Sequence, residues 1–283
     1  MEKQTGTLYL CATPIGNLED ITLRALRVLR EADLIAAEDT RHTRKLLAHY
    51  GIGTPLTSFH AHNAAKKTDE LLALVRAGKT VAVVSDAGLP GISDPGGDLA
   101  ARAAGEGLPV VAVPGACAAV TALVVSGLRT DRFVFEGFLP RRGRKKALAR
   151  LAAEERTIIL YEAPHRLLAT LEDILAVLGD RRIAVARELT KQFEEVYRGS
   201  VAQSLEHFRT RPPRGEITLV VEGAPPAKAK DAPDEAGVAA EVQEIEARGT
   251  PRAAAMKEVA RRRGLTKREV YQVLLKVKEG KDT

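Results

Sequence analysis

The 283-residue sequence contains no tryptophan and only two cysteines, and its aromatic residues amount to 4% of the chain. Two cysteines cannot build a disulfide scaffold. Cys11 and Cys117 each sit inside an apolar segment, where they read as small buried hydrophobes kept reduced in an intracellular chain. So few aromatics leave few platforms for stacking nucleotide bases one by one. No apolar run approaches the roughly 18 residues that a membrane-spanning helix requires, and nothing at the N-terminus resembles a signal peptide. The expectation is a soluble, cytoplasmic protein with no membrane partner. The six histidines show no metal-ligand spacing, and His60 and His62 alternate as they would along an extended segment or loop. No metal is expected. The common nucleotide signatures fail as well: no Gly-x-Gly-x-x-Gly follows a strand, and Gly78-Lys79-Thr80 lacks the glycine five residues before Gly78 that a phosphate-cradling loop needs.

What is present begins with length. At 283 residues, two globular domains plus an appendage are the natural expectation. The net charge of +6 is unevenly placed: residues 248–283 hold eleven of the 43 Lys and Arg but four of the 37 acids, so the body is near neutral and the C-terminus is a polycation. Such asymmetry points to a polyanionic partner, or to a solvated basic helix surface with no ligand.

Short β-branched runs at 7–12, 33–38, 80–85 and 109–113 alternate with amphipathic helical stretches near 20–30, 41–50, 64–77 and 96–106, which predicts α/β architecture with a mainly parallel sheet. A second set of strands, at 132–138, 157–161, 182–187 and 216–222, interleaves with helices near 143–154, 165–178 and 200–208. The expected organisation is an N-terminal α/β domain over 1–125, a second α/β domain over 126–223, a Pro/Ala-rich linker over 224–237 and a basic helical module over 238–283. A cleft between two α/β domains is where a small ligand usually binds. In the module, Thr250-Pro251 and Gly264 bracket a helix as N-cap, first-turn proline and terminating glycine, and Thr266 with Glu269 forms a capping box for the next.

Three loops follow predicted strands and carry unusual contents. The first is Thr13-Pro14-Ile15-Gly16-Asn17 and its continuation to Thr22, in which Asp20 and Thr22 can cap the following helix. Taken alone it is a capped loop. The second, Ser85-Asp86-Ala87-Gly88-Leu89-Pro90-Gly91-Ile92-Ser93-Asp94-Pro95-Gly96-Gly97, holds two acids and four glycines directly after an apolar strand, more than a connection requires. A carboxylate at a strand's C-terminal end can accept hydrogen bonds from a ribose diol or an amino group. The third, Val113-Pro114-Gly115-Ala116-Cys117-Ala118-Ala119, opens a helix of very small residues that leaves room for an adenine or for a packed neighbour.

Together these loops, with Glu38-Asp39-Thr40-Arg41, resemble the tetrapyrrole-methylase superfamily. Gly137-Phe138-Leu139-Pro140, Tyr161-Glu162-Ala163-Pro164-His165-Arg166, Arg187-Glu188-Leu189-Thr190-Lys191 and Arg214-Gly215-Glu216 are similar to one branch, which methylates small-subunit ribosomal RNA. The resemblance spans about 5–223, with Leu89 where that branch often carries threonine. It implies two α/β domains of the tetrapyrrole-methylase type with S-adenosyl-L-methionine bound between them, a small all-helical C-terminal module, 2′-O-methylation of a cytidine in small-subunit ribosomal RNA, and a homodimer. It also implies a cofactor site of Pro14, Ile15, Gly16, Asn17, Asp86, Ala87, Gly88, Ile92, Pro114, Ala118 and Ala119, closed by Glu162 and Ala163.

Methyl transfer from a sulfonium is an in-line displacement whose main demand is alignment, and a ribose hydroxyl needs some group to accept its proton. Asp39, Glu38, Glu188 and Lys191 are the candidates, Lys191 only if burial or neighbouring cations lower its pKa. Arg41, His42 and Arg166, with Lys191, could hold the RNA backbone, joined by Arg261, Arg262, Arg263, Lys267 and Arg268 of the basic module. The partner would be small-subunit ribosomal RNA or the assembled small subunit. Methylation of a corrin precursor, or a non-catalytic RNA-binding role in ribosome assembly, are the alternatives; the basic tail argues against the first and the intact loops against the second.

Overall fold

The computed structural model describes residues 5–225 and 234–279. Residues 226–233 of the expected linker lie outside them. Two compact units result, residues 1–224 and 225–283.

The first unit contains two five-stranded sheets. In the first sheet, β1 (Leu8–Cys11), β2 (Leu34–Ala37), β3 (Leu56–Ser58), β4 (Val81–Val84) and β5 (Val110–Val113) run parallel in the order β3-β2-β4-β1-β5. Its strands are apolar on both faces because helices cover both, as parallel sheets require. On one face Leu26 and Leu29 of α1 (Leu23–Glu31) and Leu47 of α2 (Thr40–His49) pack on Ile35, Ala37 and Val84. On the other, Leu71 and Leu72 of α3 (Ala64–Arg76) and Leu99 of α4 (Gly96–Gly105) pack on Leu8, Val81 and Val83. Each fully buried Leu or Ile contributes about 1.5–3 kcal/mol of transfer free energy.

After α5 (Ala118–Val125), the second sheet is built from β6 (Phe133–Phe138), β7 (Thr157–Glu162), β8 (Arg182–Arg187), β9 (Glu195–Ser200) and β10 (Ile217–Val221), in the order β6-β7-β10-β8-β9. Only β6 and β7 pair in parallel; the other neighbours are antiparallel. The mainly parallel expectation therefore holds for the first sheet alone. Helices α6 (Arg144–Arg150), α7 (Leu167–Leu178) and α8 (Val201–Thr210) cover one face of the second sheet through Leu148, Leu171, Ile174 and Phe208. The opposite face, through Ile159, Ala184, Ala186 and Val220, receives Ala119, Ala122 and Leu123 of α5 together with Ile15 of the first loop. The small side chains of α5 let this junction close tightly, and Ala119 packs within it.

The second unit is three helices, α9 (Glu235–Ala247), α10 (Arg252–Arg263) and α11 (Lys267–Glu279). Val238, Val242, Val259, Val270 and Val273 are among the residues that form its core. Gly264 ends α10 in the left-handed region at φ 63°, and the Thr266 and Glu269 side chains each accept from the other's backbone amide, at 3.2 and 2.6 Å. Pro251 stands one place earlier than expected, at the N-cap. Among the described residues, no helix is long and apolar enough to cross a membrane.

Candidate active site

The three sequence-distinctive loops converge at the C-terminal ends of the parallel strands, where the edges of neighbouring peptides face a common space. Thr13 and Gly88 exchange backbone hydrogen bonds of 2.9 and 3.1 Å, lacing the loop after β1 to the loop after β4. Gly88 adopts φ +82°, and a Cβ there would stand 3.4 Å from both the Ala116 carbonyl and Ile15, so the third loop closes on the same point. Asp94 Oδ1 accepts from the amides of Gly91 and Gly96, both at 2.8 Å, which folds the long second loop back on itself. Thr22 caps α1 by accepting from Ala25; Asp20 lies in a short turn that Asn17 caps instead.

A cavity of about 410 Å³ opens here, lined by the second loop, α5's start and the edge of the second sheet around Tyr161, Ala186 and Thr218. Five acids line it, Glu38, Asp86, Asp94, Glu162 and Glu216, and among the described residues no lysine or arginine does. Ile15, Leu89, Ile92, Phe138, Leu189 and Ile217 supply apolar wall. A second cavity of about 470 Å³ shares Ile15, Ser85, Asp86, Ala87 and Glu216 with the first. Its far side is basic: His42, Lys45, Leu46 and His49 fall on one face of α2 at helical spacing, and Lys191 joins them.

The expected cofactor residues divide on inspection. Ile15, Asp86, Ala87, Gly88, Ile92, Ala118, Glu162 and Ala163 line the first cavity, while Pro14 and Gly16 line the second. Asn17 and Pro114 line neither. Asn17 instead donates its amide to Thr190 Oγ1 at 3.1 Å, and Pro114 is exposed at the end of β5. Cys117 also lines the first cavity, so it is not the wholly buried hydrophobe that its surroundings suggest. Cys11 is, and burial pushes its thiol up to about 12.

Three expected acid–base residues are engaged elsewhere. Asp39 caps α2 and binds Arg41 in a two-point pair, at 3.2 and 2.8 Å, which holds its carboxyl well below the usual range. Glu188 Oε1 accepts from Lys191 Nζ at 2.8 Å and from the Glu216 amide at 2.9 Å. Lys191, also paired with Glu216 at 3.1 Å, is pushed down by burial but more strongly up by these carboxylates, and its ammonium is stabilised. The condition under which Lys191 could act as a base is therefore not met. Arg166, expected on RNA, instead binds the buried Glu162 at 3.2 Å and donates to the Leu139 carbonyl at 2.8 Å. His42 remains exposed on the second cavity.

Residues 187–191 are held against the first loop at some conformational expense. Glu188 and Thr190 both have positive φ, 52° and 67°, which costs a non-glycine residue about 1 kcal/mol or more. The Lys191 side chain lies where a Cβ on Gly16 would be 2.4 Å from it, so Gly16 is required by close approach.

The model of the tetrapyrrole (corrin/porphyrin) methylases matches residues 7–204. This chain belongs to the tetrapyrrole methylase family. The matched span runs from β1 into α8, taking in the first sheet and every strand of the second except β10. Among curated relatives, the ribosomal RNA small subunit methyltransferase I of a Synechocystis strain is 50% identical over 277 residues, covering 96% of this chain and 98% of its own length. The protein of the same name from Thermotoga maritima is 51% identical over 219 residues, 77% of this chain and 99% of its own. About a quarter of this chain thus has no counterpart in that relative. Of solved structures, uroporphyrin-III C-methyltransferase from Thermus thermophilus superposes with a TM-score of 0.56 at 27% identity, over 77% of this chain and 94% of its own.

Proposed function

We propose that this chain transfers a methyl group from S-adenosyl-L-methionine to the 2′-hydroxyl of a cytidine in small-subunit ribosomal RNA, free or in the assembled small subunit, in the cytoplasm and as a homodimer. The observation that carries the reading is the contrast between the two adjoining cavities: one lined, among the described residues, by five acids and no lysine or arginine, the other flanked by His42, Lys45, His49 and Lys191.

The first cavity fits the cofactor's chemistry. S-adenosylmethionine is a cation at its sulfonium and again at its ammonium, and an acid-rich wall favours both. A volume of about 410 Å³ lies within the roughly 300–1,000 Å³ of small-molecule sites. Asp86 and Asp94 would hold the polar groups, Ile15, Ile92 and Leu189 the apolar ring faces, and Gly88 lets the backbone come close. When bound, the cofactor supplies an electrophilic methyl group. The protein's part is to exclude water, to hold that methyl and the hydroxyl in line across the shared wall, and to give the proton somewhere to go.

The basic face of α2 would receive the phosphates of the substrate strand. The curated relatives' name supports ribosomal RNA as that substrate. Within the C-terminal unit, Arg262 pairs with Glu258, and Arg263 with Glu241 and Asp234. Arg261, Lys267 and Arg268 are exposed and carry no ion pair among the described residues, which leaves them for RNA phosphates. The division at 125 and 223 remains our reading of the organisation, with one sheet to each α/β part; the linker stops short of 237, because α9 begins at Glu235 with Asp234 as its cap. On α5, Val120 and Val124 are 47% and 69% exposed, an apolar face that suits self-association.

The test is to incubate the chain and methyl-labelled cofactor separately with small ribosomal subunits, with naked small-subunit RNA and with uroporphyrinogen, then map the label. Label on a cytidine ribose is expected. Label on the tetrapyrrole, or cofactor binding without any labelled product, would overturn the reading.

A further inference from the structure

Methylating a hydroxyl requires a proton acceptor, and the two cavities meet along a narrow wall. That wall is Ile15, Ser85, Asp86, Ala87 and Glu216. A donor in the acidic cavity and an acceptor hydroxyl entering from the basic one meet beside Asp86. The carboxylates there can be compared by what already occupies them.

Asp86 Oδ1 accepts from the Asp39 amide at 2.9 Å. Asp94 accepts from two loop amides. Glu162 is sealed under Thr170, Arg166 and its neighbour's amide. Glu216 is paired with Lys191. Glu38, at the end of β2 and on the cavity wall, has only a long contact of 3.4 Å from the Asp86 amide. Its carboxylate thus has acceptor capacity left, on the wall of the first cavity next to Asp86, which both cavities share.

We propose that Glu38 is the catalytic residue that accepts the proton of the methylated hydroxyl. This rests on the reading of the chain as a hydroxyl methyltransferase. As the hydroxyl oxygen bonds to the methyl carbon, the carbon–sulfur bond breaks and its electron pair stays on sulfur. The O–H bond breaks and its proton ends on a Glu38 carboxylate oxygen. One positive sulfonium and one negative carboxylate become a neutral thioether and a neutral acid, so charge is conserved with no further reactant.

The surroundings suit that role. Burial pushes the Glu38 carboxyl up, the Asp86 amide opposes this, the like charges of Asp86 and Asp94 add to it, and His60 counters them. A carboxylate raised toward neutrality is a stronger base while still ionised near neutral pH. His60, whose influence opposes that rise, has its Nδ1 buried and without a hydrogen-bond partner among the described residues.

The experiment compares the full chain with its Glu38→Gln and Glu38→Asp variants. Cofactor affinity is read by calorimetry and single-turnover methyl transfer to small subunits from pH 5 to 9. Glu38→Gln is expected to bind cofactor within about twofold of the parent and to lose 10²- to 10⁴-fold in transfer rate, the range for general bases. The acid limb of the rate profile should vanish in Glu38→Gln and persist at lower rate in Glu38→Asp. A Glu38→Gln variant with the parent's rate, or one that retains the acid limb, overturns the proposal. Loss of cofactor affinity in proportion to rate overturns it too, because Glu38 would then hold the cofactor. A parent chain that binds cofactor but labels no RNA overturns the proposed function itself, a different outcome from either.

Discussion

The backbone amide of Asp39 donates to Oδ1 of Asp86 across 2.9 Å, so the end of β2 and the loop after β4 are fixed to one another through the carboxylate that both cavities share. Asp86 is thereby aimed before any ligand arrives, and a pre-aimed carboxylate loses little entropy on binding a cation.

Replacing Asp86 separates these two duties. Asp86→Ala should weaken S-adenosylmethionine binding by about 10- to 100-fold, the equivalent of the roughly 1.5–3 kcal/mol of a charge-assisted hydrogen bond. Asp86→Asn retains an acceptor for the Asp39 amide, so it should preserve thermal stability while still losing affinity. Calorimetry and thermal melts measure both. Unchanged affinity in Asp86→Ala would place the cofactor elsewhere.

Arg166 offers a contrast between binding and support. Glu162 is 2% exposed, and the Arg166 guanidinium beside it neutralises its charge. Arg166→Ala should destabilise the chain by about 3–5 kcal/mol, the usual result of stranding one member of a buried pair. Adding Glu162→Gln to Arg166→Met should recover most of that loss in urea unfolding. A residue that merely touched RNA would instead lower RNA affinity at unchanged stability.

Much of this was visible in the residues themselves, and the exceptions have physical causes. The β-branched runs at β1, β2, β4 and β5 announce buried parallel strands. Leu56–Ser58 does not, being three residues long, and Glu195–Ser200 hides because an edge strand reading Glu-Val-Tyr-Arg-Gly-Ser carries polar residues toward solvent. Asp86 stood out through the density of glycine and acid around it. Lys45 and His49 did not, although their spacing from His42 was legible once α2 was assigned a face. The ranking of Asp39, Glu188, Lys191 and Glu38 was out of reach, since it depends on which partners tertiary structure brings. Glu188 meets Glu216 only because β8 and β10 are neighbours.

That Glu188 cluster predicts a pH dependence with a definite sign. Burial pushes the Glu188 carboxyl up, but Lys191 and the Glu216 amide outweigh it and leave it below the ordinary 4.5. A lowered carboxyl contributes stability that is complete above the ordinary value and lost as pH falls through the lowered one. Unfolding free energy should therefore decline as pH drops below about 4.5, and Glu188→Gln should flatten part of that decline. An identical acid profile in the variant would show that the Lys191 contact contributes nothing to folding.

The C-terminal unit should act on RNA affinity and not on chemistry. Arg261, Lys267 and Arg268, exposed and without ion pairs among the described residues, are among the cations able to release counterions on binding. Each phosphate contact steepens the salt dependence of binding by about 0.7–0.9 in log K against log salt. Changing all three to alanine should thus make that slope shallower by about 2, weaken binding to small subunits at low salt, and leave cofactor affinity and single-turnover rate at saturating RNA as in the parent. A slope that stays the same would assign the unit to structure or assembly, and a lower saturated rate would mean that it positions the substrate as well as capturing it.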